Sequence, residues 1–150
     1  MAEASRGEEE RAIMAIIERQ FASLGWTVQR QADWASFTGD FLPHAVLYPA
    51  ARPAKPQFVA AFVERMKGLA ETSLRTFRER ALGAEIRVFG NVAIAMAACE
   101  IVENESQTSR GVEAMLLVKE DGAWKIAAQS WDMESAGNPV PADLLGRRAT

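Results

Sequence analysis

The sequence predicts an α+β domain, with helices in its first half and a meander of antiparallel strands in its second. Two observations predict it. Apolar residues recur at three- and four-residue spacing up to Leu69, and from Leu74 onward they alternate at every second position. Short turn signals, Gly90-Asn91 and Asp121-Gly122, then divide the alternating part into strands.

Each element has its own signal. Ser5 and Glu8 form an S-x-x-E capping box, which marks a helix start. Ala12, Ile13, Ile16, Ile17, Gln20, Phe21 and Leu24 follow as the apolar stripe of an amphipathic helix, and Gly25 ends it. The first helix is therefore expected over Arg6–Leu24. A shorter second helix is expected to carry Trp34, Phe37 and Phe41 on one face, broken at residues 40–43. Residues 45–48 read as a short strand ended by Pro49, and the three prolines within 49–56 make a loop. Pro56 suits the first turn of a third helix, whose apolar face runs from Phe58 to Leu69. Four strands follow at 74–89 (with a bulge at Gly83), 92–103, 110–119 and 124–134, with a polar loop at 104–109. The tail, 137–150, holds Pro139 and Pro141 and reads as loosely packed. With no linker or repeat, the 150 residues are expected to form a single domain.

Composition excludes several classes. A net charge of −3 has the wrong sign for a phosphate-binding face, so neither nucleic acid nor an anionic membrane is an expected partner. The longest nearly uncharged apolar run, residues 92–99, is too short to span a bilayer. The N-terminal residues have neither the basic start nor the apolar stretch of a secretory signal, and Cys99 is the only cysteine. The expectation is a soluble cytoplasmic protein without a disulfide. One His, one Cys and scattered acids imply no metal site, and no glycine-rich phosphate loop implies a cofactor.

The strands add a further expectation. In residues 92–99 both alternating sets are apolar: Val92, Ile94, Met96 and Ala98 on one side, Ala93, Ala95, Ala97 and Cys99 on the other. A sheet with one face in water alternates more cleanly than this. Helices cover one face, and a second copy of the chain is the expected cover for the other, making a homodimer.

Three segments in order resemble one known family. They are Ala32-Asp33-Trp34 through Phe41 into Pro43-His44-Ala45-Val46, the hairpin entry Arg87-Val88-Phe89-Gly90-Asn91-Val92-Ala93, and Lys119-Glu120-Asp121-Gly122-Ala123-Trp124-Lys125-Ile126 followed by Gln129-Ser130-Trp131. Together, over roughly residues 8–135, they resemble the nuclear transport factor 2-like superfamily and within it the SnoaL-like (polyketide-cyclase-like) and calmodulin-kinase-association-like branches. The resemblance implies a cone-shaped fold, in which three N-terminal helices pack on a curved antiparallel sheet that wraps the first helix. An apolar pocket is implied at the open end. The superfamily holds isomerases, dehydratases, epoxide hydrolases, cyclases and non-catalytic association domains, so the fold does not settle the function.

The chemistry can be tested residue by residue. The isomerase base position of the resemblance falls near Tyr48 or Pro49, where no carboxylate stands, and the tyrosine implied on the first helix is absent. The position implied for a protonated acid falls near Glu113. For a dehydratase, His44 with Asp33 or Asp40 would supply a base and its orienting group, or these residues only terminate the second helix. An epoxide hydrolase would need paired aspartates beside Arg78, Arg80 or Arg87, and the strands lack them before Asp132. Glu100 and Glu113 stand in apolar strands, so each must be paired, with Arg110 or Arg78 as candidate partners, or carry a raised pKa. Cys99, among apolar neighbours, reads as an inert buried thiol.

The functional expectation is a small-molecule-binding or lyase/isomerase-type protein with an apolar pocket for a hydrophobic carbonyl or aromatic ligand. His44, Tyr48 and Glu113 are the candidate catalytic residues, and Trp34, Phe62, Met115 and Trp131 the candidate pocket walls. In one arrangement Tyr48, Glu113 and Trp131 share the pocket, with Tyr48 and a protonated Glu113 donating to a ligand carbonyl. The alternative is a non-catalytic dimerisation or association module. In that case Glu113 is one half of an interface ion pair.

Overall fold

A computed structural model describes residues 5–146; the first four residues and the end of the expected tail lie outside the described part. Helix α1 spans Arg6–Leu24, and the Ser5 hydroxyl accepts the Glu8 N–H at 3.1 Å, as its capping signal requires. Helix α2 is a short Trp34–Gly39 segment, N-capped by Asp33. Strand β1 (Phe41–Tyr48) starts earlier than expected, so Phe41 opens a strand and does not belong to the helix face shared by Trp34 and Phe37. Pro56 precedes a two-residue strand, β2 (Gln57–Phe58), and helix α3 runs from Val59 to Glu71.

The remaining strands are β3 (Phe77–Phe89), β4 (Val92–Glu103), β5 (Gln107–Glu120) and β6 (Ala123–Met133). The Asp121-Gly122 turn has positive φ at both residues, the geometry that fits hairpin twist. The expected loop at 104–109 is instead a tight left-handed turn at Asn104 and Glu105, which lets β5 begin at Gln107. Asn104 holds that turn by accepting the Arg75 N–H at 2.8 Å and donating to the Ser73 carbonyl at 2.9 Å.

The six strands form one curved sheet in the order β2-β1-β6-β5-β4-β3. The sheet is not wholly antiparallel, because β1 lies parallel to β6. Strands β1 and β2 also separate α2 from α3, so the three helices are not one N-terminal block. Turn signals reveal hairpins between neighbours in sequence, and the β1–β6 pairing joins strands with no such signal between them.

Two bulges set which residues face the helices. The register of β3 against β4 shifts between Ala81 and Gly83, which places a bulge at Leu82 beside the expected Gly83. In β6 the shift falls at Ala127, since Leu116 pairs with Ala128 but Leu117 pairs with Ile126. Beyond that bulge the inward set becomes Gln129, Trp131 and Met133.

Ile13, Ile17 and Phe21 of α1 are fully enclosed, and the helix packs chiefly against β3. Glu9 anchors its first half by accepting from Lys119 Nζ and from the Trp124 indole, each at 2.8 Å. Arg19 ties its second half to the end of α2 through two bonds to Asp40, at 2.5 and 3.1 Å. The described part of the tail is not loose. Val140 and Leu144 pack on Ala98, Leu82 and Val112 across the outer sheet face, Glu134 accepts the Val140 N–H at 2.7 Å, and Gly146 N–H reaches the bulged Leu82 carbonyl at 2.7 Å. Among the described residues no helix is long and apolar enough to cross a membrane.

Replacing the fully enclosed Ile17 by Ala should cost about 2–5 kcal/mol of unfolding free energy in a denaturant titration. A loss near zero would mean that α1 does not fill the curve of the sheet.

Candidate functional site

A cavity of about 370 Å³ lies between the helices and the inner sheet face. Its walls are mainly aromatic and aliphatic. Phe62 of α3 stacks on Phe37 of α2 with centroids 5.6 Å apart and meets the edge of Trp131 from β6 at 5.7 Å. Four buried polar side chains line it as well: Gln20, Glu79, Glu113 and Gln129.

These four form one network. The Gln20 and Gln129 amides bond to each other in both directions, at 2.7 and 2.9 Å, which joins α1 to β6. Gln129 Nε2 gives its other hydrogen to Glu113 Oε1. The Glu113 and Glu79 carboxyls are hydrogen-bonded to each other. Glu79 stands on β3 and Glu113 on β5, two strands apart, a span of roughly 9.5 Å. The inner face of β4 between them carries Ala97 and Cys99. Such small side chains leave the space in which two glutamates from flanking strands meet.

Two carboxyls in contact cannot both be ionised in an apolar enclosure. Glu79 is 6% and Glu113 7% exposed, and burial raises both above the ordinary range. Glu79 is pushed up further by the Glu113 charge, whereas Glu79 and Gln129 both donate to Glu113 and so favour its ionised form. The pair therefore keeps at least one proton, and Glu79, raised by the Glu113 charge as well as by burial, holds it more strongly than Glu113. Glu79 Oε2 is buried and has no fixed donor facing it.

Cys99 lies beside the pair. The ligand atoms of Glu79, Cys99 and Glu113 fall within 4.8 Å of one another, the one grouping among the described residues that a metal ion would fit. Burial pushes the Cys99 thiol up, and the neighbouring carboxyls push it further. A divalent ion there would have to displace both the thiol proton and the carboxyl proton, which these surroundings hold on.

Of the residues singled out from sequence, Glu113, Phe62 and Trp131 meet at this cavity. Glu113 faces α1, not a partner surface, because Gln129 links it to Gln20. Tyr48 does not join them. It is 37% exposed on the opposite face of β1, and Leu47 takes the cavity position. His44 is exposed on the same strand, Asp40 is committed to Arg19 and Asp33 to Ser36, so no His–Asp pair forms. Trp34 packs on Trp26, 5.9 Å away, outside the cavity. Met115 is core, paired across the ladders with Ala95 and Gln129. Glu100 pairs with Arg80 at 3.0 Å and Arg110 at 3.9 Å on the sheet surface.

Gln20, Glu79 and Gln129 were not picked out. Gln20 had a signal, as a polar residue inside the apolar stripe of α1. Glu79 had a weaker one, in phase with Phe77 on its strand. Gln129 had none, because the Ala127 bulge resets its parity.

No family model and no curated protein matches this sequence. Solved structures do resemble it. A protein of unknown function with a cystatin-like fold from Nostoc punctiforme is 14% identical with a TM-score of 0.68, covering 90% of this chain and 97% of that one. An NTF2-like protein of unknown function from Shewanella baltica is 14% identical with a TM-score of 0.65, covering 89% and 100%. A Novosphingobium aromaticivorans protein provisionally named a scytalone dehydratase is 15% identical with a TM-score of 0.68, covering 85% of each chain. Identities of this size carry a likeness of fold alone, and on that ground the chain has the nuclear transport factor 2-like fold.

Proposed function

We propose that the protein binds a small, largely apolar molecule in the cavity and that the Glu79–Glu113 pair moves a proton to or from it, as a lyase or isomerase does. The observation that carries this reading is the pair itself, two buried carboxyls in contact, each raised above its ordinary pKa, facing an aromatic-walled cavity. Perturbed acids in such a cleft are where acid–base chemistry is expected. In this reading Glu113 is the base and Glu79 the acid, in place of the protonated donor that the sequence suggested for Glu113. Phe62 and Trp131 remain the proposed walls. The protein with the scytalone dehydratase name shares this fold, which is consistent with a lyase on it.

A second proposal concerns assembly. Ile94 and Met96 of β4 and Leu116 of β5 are about half exposed on the outer sheet face, beside the part the tail covers. An apolar face of this kind favours a second copy. The homodimer is also what an association module would need.

Three outcomes test these readings. Thermal-shift measurements with 4-phenylbutan-1-ol and 5-phenylpentan-2-one should raise the melting temperature in a dose-dependent way, and Trp131→Ala should abolish the shift. No shift with these two or with any other ligand carrying the same phenylalkyl body would remove the binding reading. The second test is pH. Above the ordinary carboxyl value of 4.5 the unfolded chain releases the Glu79 proton while the folded chain keeps it. Folding then takes up a proton, and stability falls as pH rises until the folded pair itself ionises. The slope from this group is at most about 1.4 kcal/mol per pH unit. Glu79→Gln mimics the protonated acid and should flatten that part of the urea-midpoint profile between pH 5 and 9; parallel profiles would place no retained proton on Glu79. Third, sedimentation at micromolar concentration should give twice the monomer mass, and Ile94→Lys the monomer. A wild-type chain that sediments only as a monomer contradicts the dimer.

A further inference from the structure

The hydrogen-bond inventory of the cavity floor is lopsided. Gln129 has both amide hydrogens committed, one to Gln20 and one to Glu113. Its carbonyl oxygen takes a Gln20 hydrogen. The two carboxyls between them offer four oxygens, and what meets these is the Gln129 hydrogen, the one shared proton and the weak Cys99 thiol. Glu79 Oε2, on a side chain 6% exposed, is left without a donor. Acceptors therefore outnumber donors at the floor. A ligand carbonyl, itself an acceptor, finds only the proton already shared by the pair. A ligand that brings N–H groups satisfies oxygens that the protein leaves open.

Charge points the same way. The floor holds two buried carboxyls, the source of any charge there, and Glu103 adds a half-buried acid farther along the wall. An anionic head at the floor would meet like charge, and an ammonium would meet opposite charge at short range. The rings of Phe37, Phe62 and Trp131 that line the space suit the apolar body of such a ligand. Arg65 is the opposing feature. It lines the cavity, is exposed, and stands over the Phe62 ring at 5.5 Å. It forms no ion pair among the described residues, so it offers a mouth position to a carboxylate.

Resting on the proposed binding function, we infer that the cavity selects a hydrophobic primary amine, bound as the ammonium with its head on Glu113 and Glu79 and its apolar body between Phe37, Phe62 and Trp131. The ammonium donates to a Glu113 oxygen and to Glu79 Oε2, and the body displaces water from the aromatic walls. The wall residues then set the size of the amine, and the acid pair sets its class. The short side chains of Ala97 and Cys99 allow the two acids to converge on one head group.

The test is a set of ligands sharing one phenylbutyl body: 4-phenylbutylamine, 4-phenylbutan-1-ol, 5-phenylpentan-2-one and 4-phenylbutyrate, titrated calorimetrically against the full chain at pH 7. The amine should bind about tenfold or more tighter than the alcohol, the alcohol more tightly than the ketone, and the carboxylate weakest. Glu113→Gln should remove the amine's advantage over the alcohol. Trp131→Ala should weaken amine and alcohol together. Should Glu113→Gln fail to fold, Glu79→Gln serves in its place, since its new N–H₂ group removes the open acceptor and should likewise narrow the amine preference. Ketone binding equal to or tighter than amine binding overturns the inference and leaves the binding function standing. Carboxylate binding tightest, lost in Arg65→Gln, overturns it in favour of the mouth arginine. An amine preference that survives both glutamate substitutions also overturns it. Zinc alone giving a larger stabilisation than any amine, lost in Cys99→Ala, overturns it in favour of a metal. If no member of the set binds, the binding function itself fails and the inference with it.

Discussion

The site depends on the small inner face of β4. Ala93, Ala95, Ala97 and Cys99 point toward the helices from a strand flanked on both sides by long ones. Larger side chains at these positions would fill the space between Glu79 and Glu113. With small ones there, Glu79 from β3 and Glu113 from β5 extend over β4 and meet. The large residues of α1, Ile13, Ile17 and Phe21, are fully enclosed, and the helix packs chiefly against β3. The alanine-rich strand serves the placement of the two acids.

The acids carry an energetic cost, and the neighbouring residues offset part of it. A carboxylate withdrawn from water is destabilising unless hydrogen-bonded, and two of them repel. Sharing one proton removes the repulsion. The Gln129 N–H stabilises the remaining charge, and Gln20 fixes the orientation of Gln129 from the opposite wall. The chain of four side chains therefore crosses from helix α1 to strands β6, β5 and β3. It couples packing of α1 to the protonation state of the sheet acids. What it leaves open is acceptor capacity on Glu79, directed at a cavity and not at solvent.

The two faces of the sheet solve different problems. The inner face is closed by helices and holds the polar network. The outer face is apolar in its centre, salt-bridged around Glu100 toward the other end of the strands, and partly covered by Val140 and Leu144 of the tail. The Leu82 bulge belongs to this outer solution, since its side chain packs under the tail and its carbonyl receives the Gly146 N–H. The Ala127 bulge belongs to the inner one, turning Gln129 and Trp131 toward the cavity. A single extra residue in each strand separates these two arrangements.

The sequence by itself determined the elements, because their causes are local. A capping box, a 3.6-residue stripe, period-two alternation and an Asp-Gly turn each act within a few residues, so α1, the β4 strand and the β5–β6 hairpin were legible in it. The family resemblance offered Glu113, Phe62 and Trp131 as cavity residues, with an interface position as the alternative for Glu113, and the structure brings the three to one cavity. Only the tertiary structure decided the rest, because its causes lie between segments far apart in the chain. The parallel pairing of β1 with β6 has no local signal, and it turned Tyr48 and His44 outward. The bulge at Ala127 inverted the parity that would have read Gln129 as an outward residue. The meeting of Glu79 with Glu113 required a third strand of small residues between them. A carboxylate's role is set by what surrounds it in space, and for this site those surroundings are drawn from α1, β3, β4, β5 and β6.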